Sequence, residues 1–125
     1  MVKKMSVLLL ILATVVLAVS GQLSMKKGMT SVGQISLADL FSKKLFTVVF
    51  QPFVFVGIAL YISSAALWLV ILSQEELSFA YPLISIGYII TAVLSNIFFH
   101  ESLTIFRIIG ILLIMAGVYF VVMRF

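Results

Sequence analysis

Few residues in this 125-residue chain are spaced as if to do chemistry, and the clearest are an amide and a cation on one helix face. Thr14, Ala18, Gln22 and Lys26 recur every fourth residue, so on a helix they lie along one face. An ammonium beside an amide near the end of an apolar run suits an anion, and polar groups placed there mark a substrate path. The same spacing also suits a plainer role, in which Gln22 bonds a neighbouring helix and Lys26 snorkels to the headgroups. Glu101 beside His100, and the pair Glu75 and Glu76, read as solvated polar links. Cysteine is absent, which removes disulfides, thiolate metal sites and cysteine nucleophiles together. One histidine and four scattered acidic residues give no metal-ligand spacing. No nucleophile and base pair, glycine-rich phosphate loop or pair of carboxylates at catalytic spacing occurs in the sequence. The chain is therefore not expected to be an enzyme, and no cofactor or metal is expected.

The rest of the sequence says where such residues must sit. Hydrophobic residues make up 64% of the chain and charged residues 10%, with a mean hydropathy of +1.34. An ordinary soluble domain is about 45–50% apolar and about 25% charged, so too little polar surface remains here to coat a water-soluble globule. The net charge of +4 does not point to nucleic acid. The eight basic residues sit at the edges of apolar runs and do not cluster with exposed aromatics.

About 20 apolar residues in helical form cross a hydrocarbon core of about 30 Å. Four runs meet that length, at about 5–24, 45–73, 77–99 and 103–123. Alternation at period two is missing, which disfavours a transmembrane barrel. The expected fold is an all-α, integral membrane four-helix bundle making one membrane domain over residues 1–125. The connection 25–44 is the long polar one, with Ile35, Leu37, Leu40 and Phe41 suited to a short interfacial helix. The links at 73–78 and 100–102 are tight and force their helices antiparallel. Lys3 and Lys4, followed by an apolar stretch and Ala18-Val19-Ser20, also resemble a signal peptide; the three further spans favour retention as a helix. Lys26, Lys27, Lys43, Lys44 and Arg107 fall on one side of the membrane and Lys3, Lys4 and Arg124 on the other, a bias that puts both termini outside.

Three faces stand out among the spans. Tyr81, Ser85, Tyr88, Ala92 and Ser95 form a stripe on the third, which suits close helix packing or a polar site. Pro82 is tolerated in a first helical turn; deeper, it frees a backbone carbonyl that can face a cavity. Gly110 and Gly117, two turns apart on the fourth span with Ala116 nearby, make a flat surface for another helix. Four spans barely enclose a path, so this face is expected to be a dimer contact. Gly57, Tyr61, Ser64, Ala65 and Trp68 make a similar stripe on the second span, where Trp68 is an interface anchor or a ligand contact.

The motifs resemble those of the drug/metabolite transporter superfamily, which includes EamA-type proteins and the small multidrug resistance exporters. The chain is similar above all to the two small subunits of the aminoarabinose-phosphoundecaprenol flippase. Gly21-Gln22-Leu23 with Lys26 resembles that family's first helix. Leu67-Trp68-Leu69, then Ala80-Tyr81-Pro82 and Ser85, resemble its second and third. His100-Glu101, Gly110 and Ile114-Met115-Ala116-Gly117 resemble its third connection and fourth helix. The resemblance covers most of the chain, weakly between about Lys27 and Ala66. It implies a four-helix protomer working as a homodimer or as a heterodimer with a similar small subunit, in the bacterial cytoplasmic membrane, with the substrate between protomers.

The exporters resemble the chain in the third-helix tyrosine and the glycine-spaced fourth helix, but they depend on a glutamate in the first helix where this chain has Ala18. A proton-coupled site for a hydrophobic cation is thus missing. A polyprenyl phosphate lipid, with or without a sugar, fits better. On this reading Lys26 holds the phosphate, Gln22 and Ser85 with Tyr81 bond polar head atoms, and Glu101 meets a headgroup amine or orders Lys26. Arg107 is a second phosphate partner, and Trp68 lies with the substrate-binding set. The longer basic first connection and the Glu75-Glu76 turn depart from the flippase subunits and leave the headgroup and the partner open. A cation exporter and a non-transporting accessory protein stand as the alternatives.

Overall fold

A computed structural model describes residues 2–123, with side chains from Met5 onward. Lys3, Lys4 and Arg124, on which the orientation bias partly rests, lie outside the described side chains. The chain forms helix α1 (Val2–Val32), a 3-10 turn (Leu37–Phe41), and helices α2 (Lys44–Val49), α3 (Pro52–Gln74), α4 (Leu77–Ile84), α5 (Ile86–Phe99) and α6 (Ile105–Val122). No strand occurs among the described residues. Four segments are long and apolar enough to cross a bilayer: 5–32, 52–74, 77–99 and 105–122. The molecule is an all-α membrane bundle, as its hydropathy requires.

The first boundary differs from the sequence expectation. Helix α1 does not stop near residue 24; it carries Lys26, Lys27 and Gly28 within it and ends at Val32. Lysine is a good helix former, so two of them do not break a helix that is already packed. Gly28 is held because α3 lies against it: a Cβ there would come 2.8 Å from the Val54 nitrogen. The stop comes at Gly33, whose φ of +89° suits glycine, with its N–H donating to the Met29 carbonyl at 2.9 Å. The long connection therefore starts at Gly33 rather than Met25. At 31 residues α1 is about 46 Å long, well beyond a hydrocarbon core.

The second run is also not one helix. Pro52 disfavours helical backbone at the residue before it, so Gln51 is extended at φ −60°, ψ 129°, and separates α2 from α3. Gln51 then caps the new helix, its Oε1 accepting from the Val54 N–H at 2.9 Å. The expected interfacial helix is a single 3-10 turn over Leu37–Phe41, and it buries none of its residues. The third run keeps its ends but breaks at Ser85. Pro82 is the sixth residue of α4, too deep to be harmless, and it cannot donate to the carbonyl of Ser78. At the break, the Ser85 N–H and Oγ both donate to the Pro82 carbonyl.

The densest packing is between α1 and α3. A Cβ on Gly21 would lie 2.7 Å from the Gly57 carbonyl oxygen, and one on Gly57 would lie 2.6 Å from that of Gly21. Within a bilayer there is little hydrophobic gain in burying apolar side chains, so this backbone approach and its dispersion contacts are what hold the pair. Ser24 Oγ adds a hydrogen bond across it to the Phe53 carbonyl at 2.6 Å. Val7, Ile11, Val15 and Val19, one stripe of α1, close on Ile71, Ala80, Leu83 and Val118 from the other spans. Buried Thr14 donates to the Leu10 carbonyl at 2.8 Å and buried Ser64 to Tyr61 at 2.6 Å, so both hydroxyls are satisfied within their own helices. Burial falls along the chain, and in α6 only Val118 is buried.

Candidate functional site

The polar residues singled out in the sequence gather at one end of the bundle and below it. The α5 helix ends at His100, whose left-handed backbone (φ 56°) turns the chain sharply toward α1. The Glu101 N–H reaches the Ser95 carbonyl at 3.4 Å, and Asn96 Nδ2 donates to the Glu101 carbonyl at 2.7 Å. With its backbone tied at both groups, Glu101 presents its carboxylate to Lys26, Nζ to Oε1 3.6 Å. Both side chains are about half exposed, so the pair is open to exchange with a ligand.

Arg107 stands on the other side of the same link. Thr104 caps α6 by accepting from the Arg107 N–H at 3.3 Å, and the guanidinium Nη1 donates to the Ser102 carbonyl at 2.8 Å. Glu101, Ser102 and Arg107 line a polar cavity of about 250 Å³ together with Tyr88, Thr91 and Ser95. A second cavity, about 180 Å³, lies beside it and shares Tyr88 and Thr91; Gln22 and Ser85 line it. A third, about 200 Å³, shares Ala18 and Ile84 with the second and holds Trp68 and Tyr81, whose rings meet edge to face at 6.2 Å.

The seven expected binding residues thus fall into one arrangement. Glu101 and Arg107 sit at its charged end, Lys26 is paired to that end, Gln22 and Ser85 line the middle cavity, and Trp68 and the exposed Tyr81 line the third, toward the start of the third span. Tyr88 and Thr91, which join the first two cavities, were not among the expected set. Tyr88 belonged to the third-span stripe, and Thr91 lies three residues on along the same face, a signal the sequence does carry. Asn96 carried no such signal, because its role depends on the left-handed turn at His100. Ala18 lines both the second and third cavities, and no carboxylate lines either. No group of three or more metal-ligating side chains occurs among the described residues.

Gly110 and Gly117 are apart from these cavities. A Cβ on either would meet nothing within 4 Å, so their face of α6 is bare in the protomer.

Known proteins share this layout of sequence. A protein of Serratia proteamaculans named "Probable 4-amino-4-deoxy-L-arabinose-phosphoundecaprenol flippase subunit ArnF" is 35% identical over 113 residues, covering 87% of this chain and 86% of its own. The chain belongs to the ArnF/ArnE family of flippase subunits. An ArnF of Shewanella sediminis is 36% identical over 125 residues, covering 91% of this chain and 86% of its own. An ArnE of Aeromonas hydrophila is 31% identical over 67 residues, 54% of this chain and 59% of its own. No family model matches the chain, and no solved structure matches it. Membership of the ArnF/ArnE family and four apolar spans make it a multi-pass protein of the bacterial inner membrane. The relatives are named as transporter subunits, not enzymes.

Proposed function

We propose that this chain is one subunit of a flippase that carries 4-amino-4-deoxy-L-arabinose on undecaprenyl phosphate across the inner membrane, and that it has no catalytic step of its own. The observation that carries the reading is the Lys26 and Glu101 ion pair at the charged end of the cavities. A lipid with a phosphate and an amine bears both charges of that pair. When it enters, its phosphate takes Lys26 and its amine takes Glu101, so two new pairs replace one and no charge is left alone. Arg107, tied only to a neutral carbonyl in its own link, is a second donor to the phosphate. Gln22 and Ser85, and beyond them Tyr81, supply hydrogen bonds to the sugar at successive points of its path across the membrane, with Trp68 as an apolar face beside Tyr81.

The polyprenyl tail needs no pocket, because it stays in lipid beside the exposed helices. A second small subunit of similar fold completes the path, packed on the bare glycine face of α6.

The test is transport of the aminoarabinose lipid by the reconstituted subunit pair carrying Lys26→Gln. Loss of a charge-assisted hydrogen bond is worth about 1.5–3 kcal/mol, so uptake at limiting lipid falls about tenfold or more. Unaltered transport, or purified protein that retains no polyprenyl phosphate by mass spectrometry, removes the assignment. A copurified cationic compound instead favours export.

A further inference from the structure

Lys26 and Lys27 are neighbours in sequence but look into different gaps, because successive helical residues are turned by about 100°. Lys26 meets Glu101. Lys27 instead lies over the ring of Phe53, 4.5 Å from its centroid, and is exposed. It lines a cavity of about 510 Å³ between α1, the start of α3 and the end of α5, with Leu23, Ser24, Phe53, Phe98 and Phe99. Both hydroxyls near it are already donating, Ser24 to the Phe53 carbonyl and Thr30 to that of Lys27. The groove therefore offers one ammonium and a largely aromatic wall.

Its height in the bundle says what touches it. Phe53 is the second residue of α3 and Phe99 the last of α5, so the groove lies where two spans begin and end. At that depth a cation meets phosphates and an aromatic wall meets the first carbons of acyl chains. A phosphate head above Lys27 and a chain laid along Phe98 and Phe99 match both parts of the groove at once. We infer that this groove is a binding site for an anionic phospholipid of the surrounding leaflet, separate from the cavities at Glu101 and Arg107. Phe53 holds the ammonium in place when no phosphate is present, at a worth small enough for an anion to displace it.

The experiment is native mass spectrometry of purified protein exchanged into mixed micelles of phosphatidylglycerol and phosphatidylcholine. The wild-type chain and the Lys26→Gln variant are expected to retain phosphatidylglycerol about fivefold or more over phosphatidylcholine. Lys27→Gln loses that preference, and Lys27→Arg keeps it. A photoreactive benzophenone residue at Phe98 crosslinks the acyl chain in the wild-type background and about fivefold less beside Lys27→Gln. Equal retention in Lys27→Gln overturns the proposal, as does an equal loss in Lys26→Gln. Added undecaprenyl phosphate that displaces phosphatidylglycerol completely at equimolar amounts also overturns it, because the groove then belongs to the transported lipid.

Discussion

Gly21 and Gly57 meet backbone to backbone, each α-carbon facing the other's carbonyl oxygen closely enough that a methyl on either would come within 2.7 Å of it. Neither oxygen is the end of a flexible side chain, so the helices themselves must part to make room. Gly57→Ala is expected to destabilise the protomer by about 1–3 kcal/mol, the usual cost of overpacking. Gly110→Ala, with open space around it, is the matched control and keeps stability or raises it by up to about 1 kcal/mol through helix propensity. Denaturant unfolding of the two variants in detergent, followed by circular dichroism, checks this.

The ion pair of Lys26 and Glu101 is expected to matter for ligand and hardly at all for folding. Exposed pairs contribute about 0–1 kcal/mol, so Glu101→Gln should unfold within that range of wild type. The double variant Lys26→Glu with Glu101→Lys restores opposite charges but puts the carboxylate on α1. If the phosphate is read at Lys26, stability is kept and transport is not recovered. Recovery of transport by the swap would show that only the pair, and not its direction, is used.

The bare face of α6 gives a prediction that separates two assays. Gly117→Leu adds a large side chain where the protomer has nothing to clash with, so its melting temperature as an isolated chain stays put. Pairing with a second small subunit, measured by crosslinking in membranes, weakens. A variant that pairs normally would place the contact on another helix.

Asp39 makes the first connection sensitive to acid. Its carboxylate accepts from the Ser36 N–H at 2.8 Å and lies 3.8 Å from Lys44 Nζ. The Ser36 hydrogen bond first, and Lys44 after it, hold its pKa below the usual carboxylate range. A depressed pKa means that the ordering of the 3-10 turn is present above that range and is lost as pH falls through the lowered value. The protection factor of the Ser36 amide, its exchange corrected for the intrinsic pH dependence, should therefore fall on acidification, and Asp39→Ala, which has no acceptor, should lack that protection at every pH.

The four spans were readable because backbone exposed to lipid must be helical or part of a closed barrel, and four long apolar runs without period-two alternation leave only the helix. What hydropathy does not report is where a helix can continue through charge or must stop within an apolar run. Lys26 and Lys27 looked like the end of a span, yet the contact of Gly28 with α3 carries the helix on to Gly33. Pro52 lay inside an unbroken apolar run, and its effect on Gln51 is a backbone rule rather than a hydropathy signal. The candidate binding residues came from polar types on helical faces, so Gln22, Ser85 and Tyr81 were legible. That Glu101 orders Lys26 was an expectation from the family resemblance alone; the geometry that brings the two together depends on one left-handed residue, His100, and an amide from Asn96, neither of which carried a signal.

The interruption of the third span at Ser85 has a mechanical side. Pro82 leaves a rung out of the ladder at the Ser78 carbonyl, and at the break both the N–H and the hydroxyl of Ser85 go to the Pro82 carbonyl. Bending stiffness in a helix comes from consecutive rungs, so the rod is weakest at that point, as a stick is at a notch. Above the notch stand Ile86, Tyr88 and Thr91; below it stand Tyr81 and Leu83. Ile84 and Ser85, at the notch itself, line the middle cavity, and Ile84 also lines the third. The interruption of the span thus falls where those two cavities share a wall.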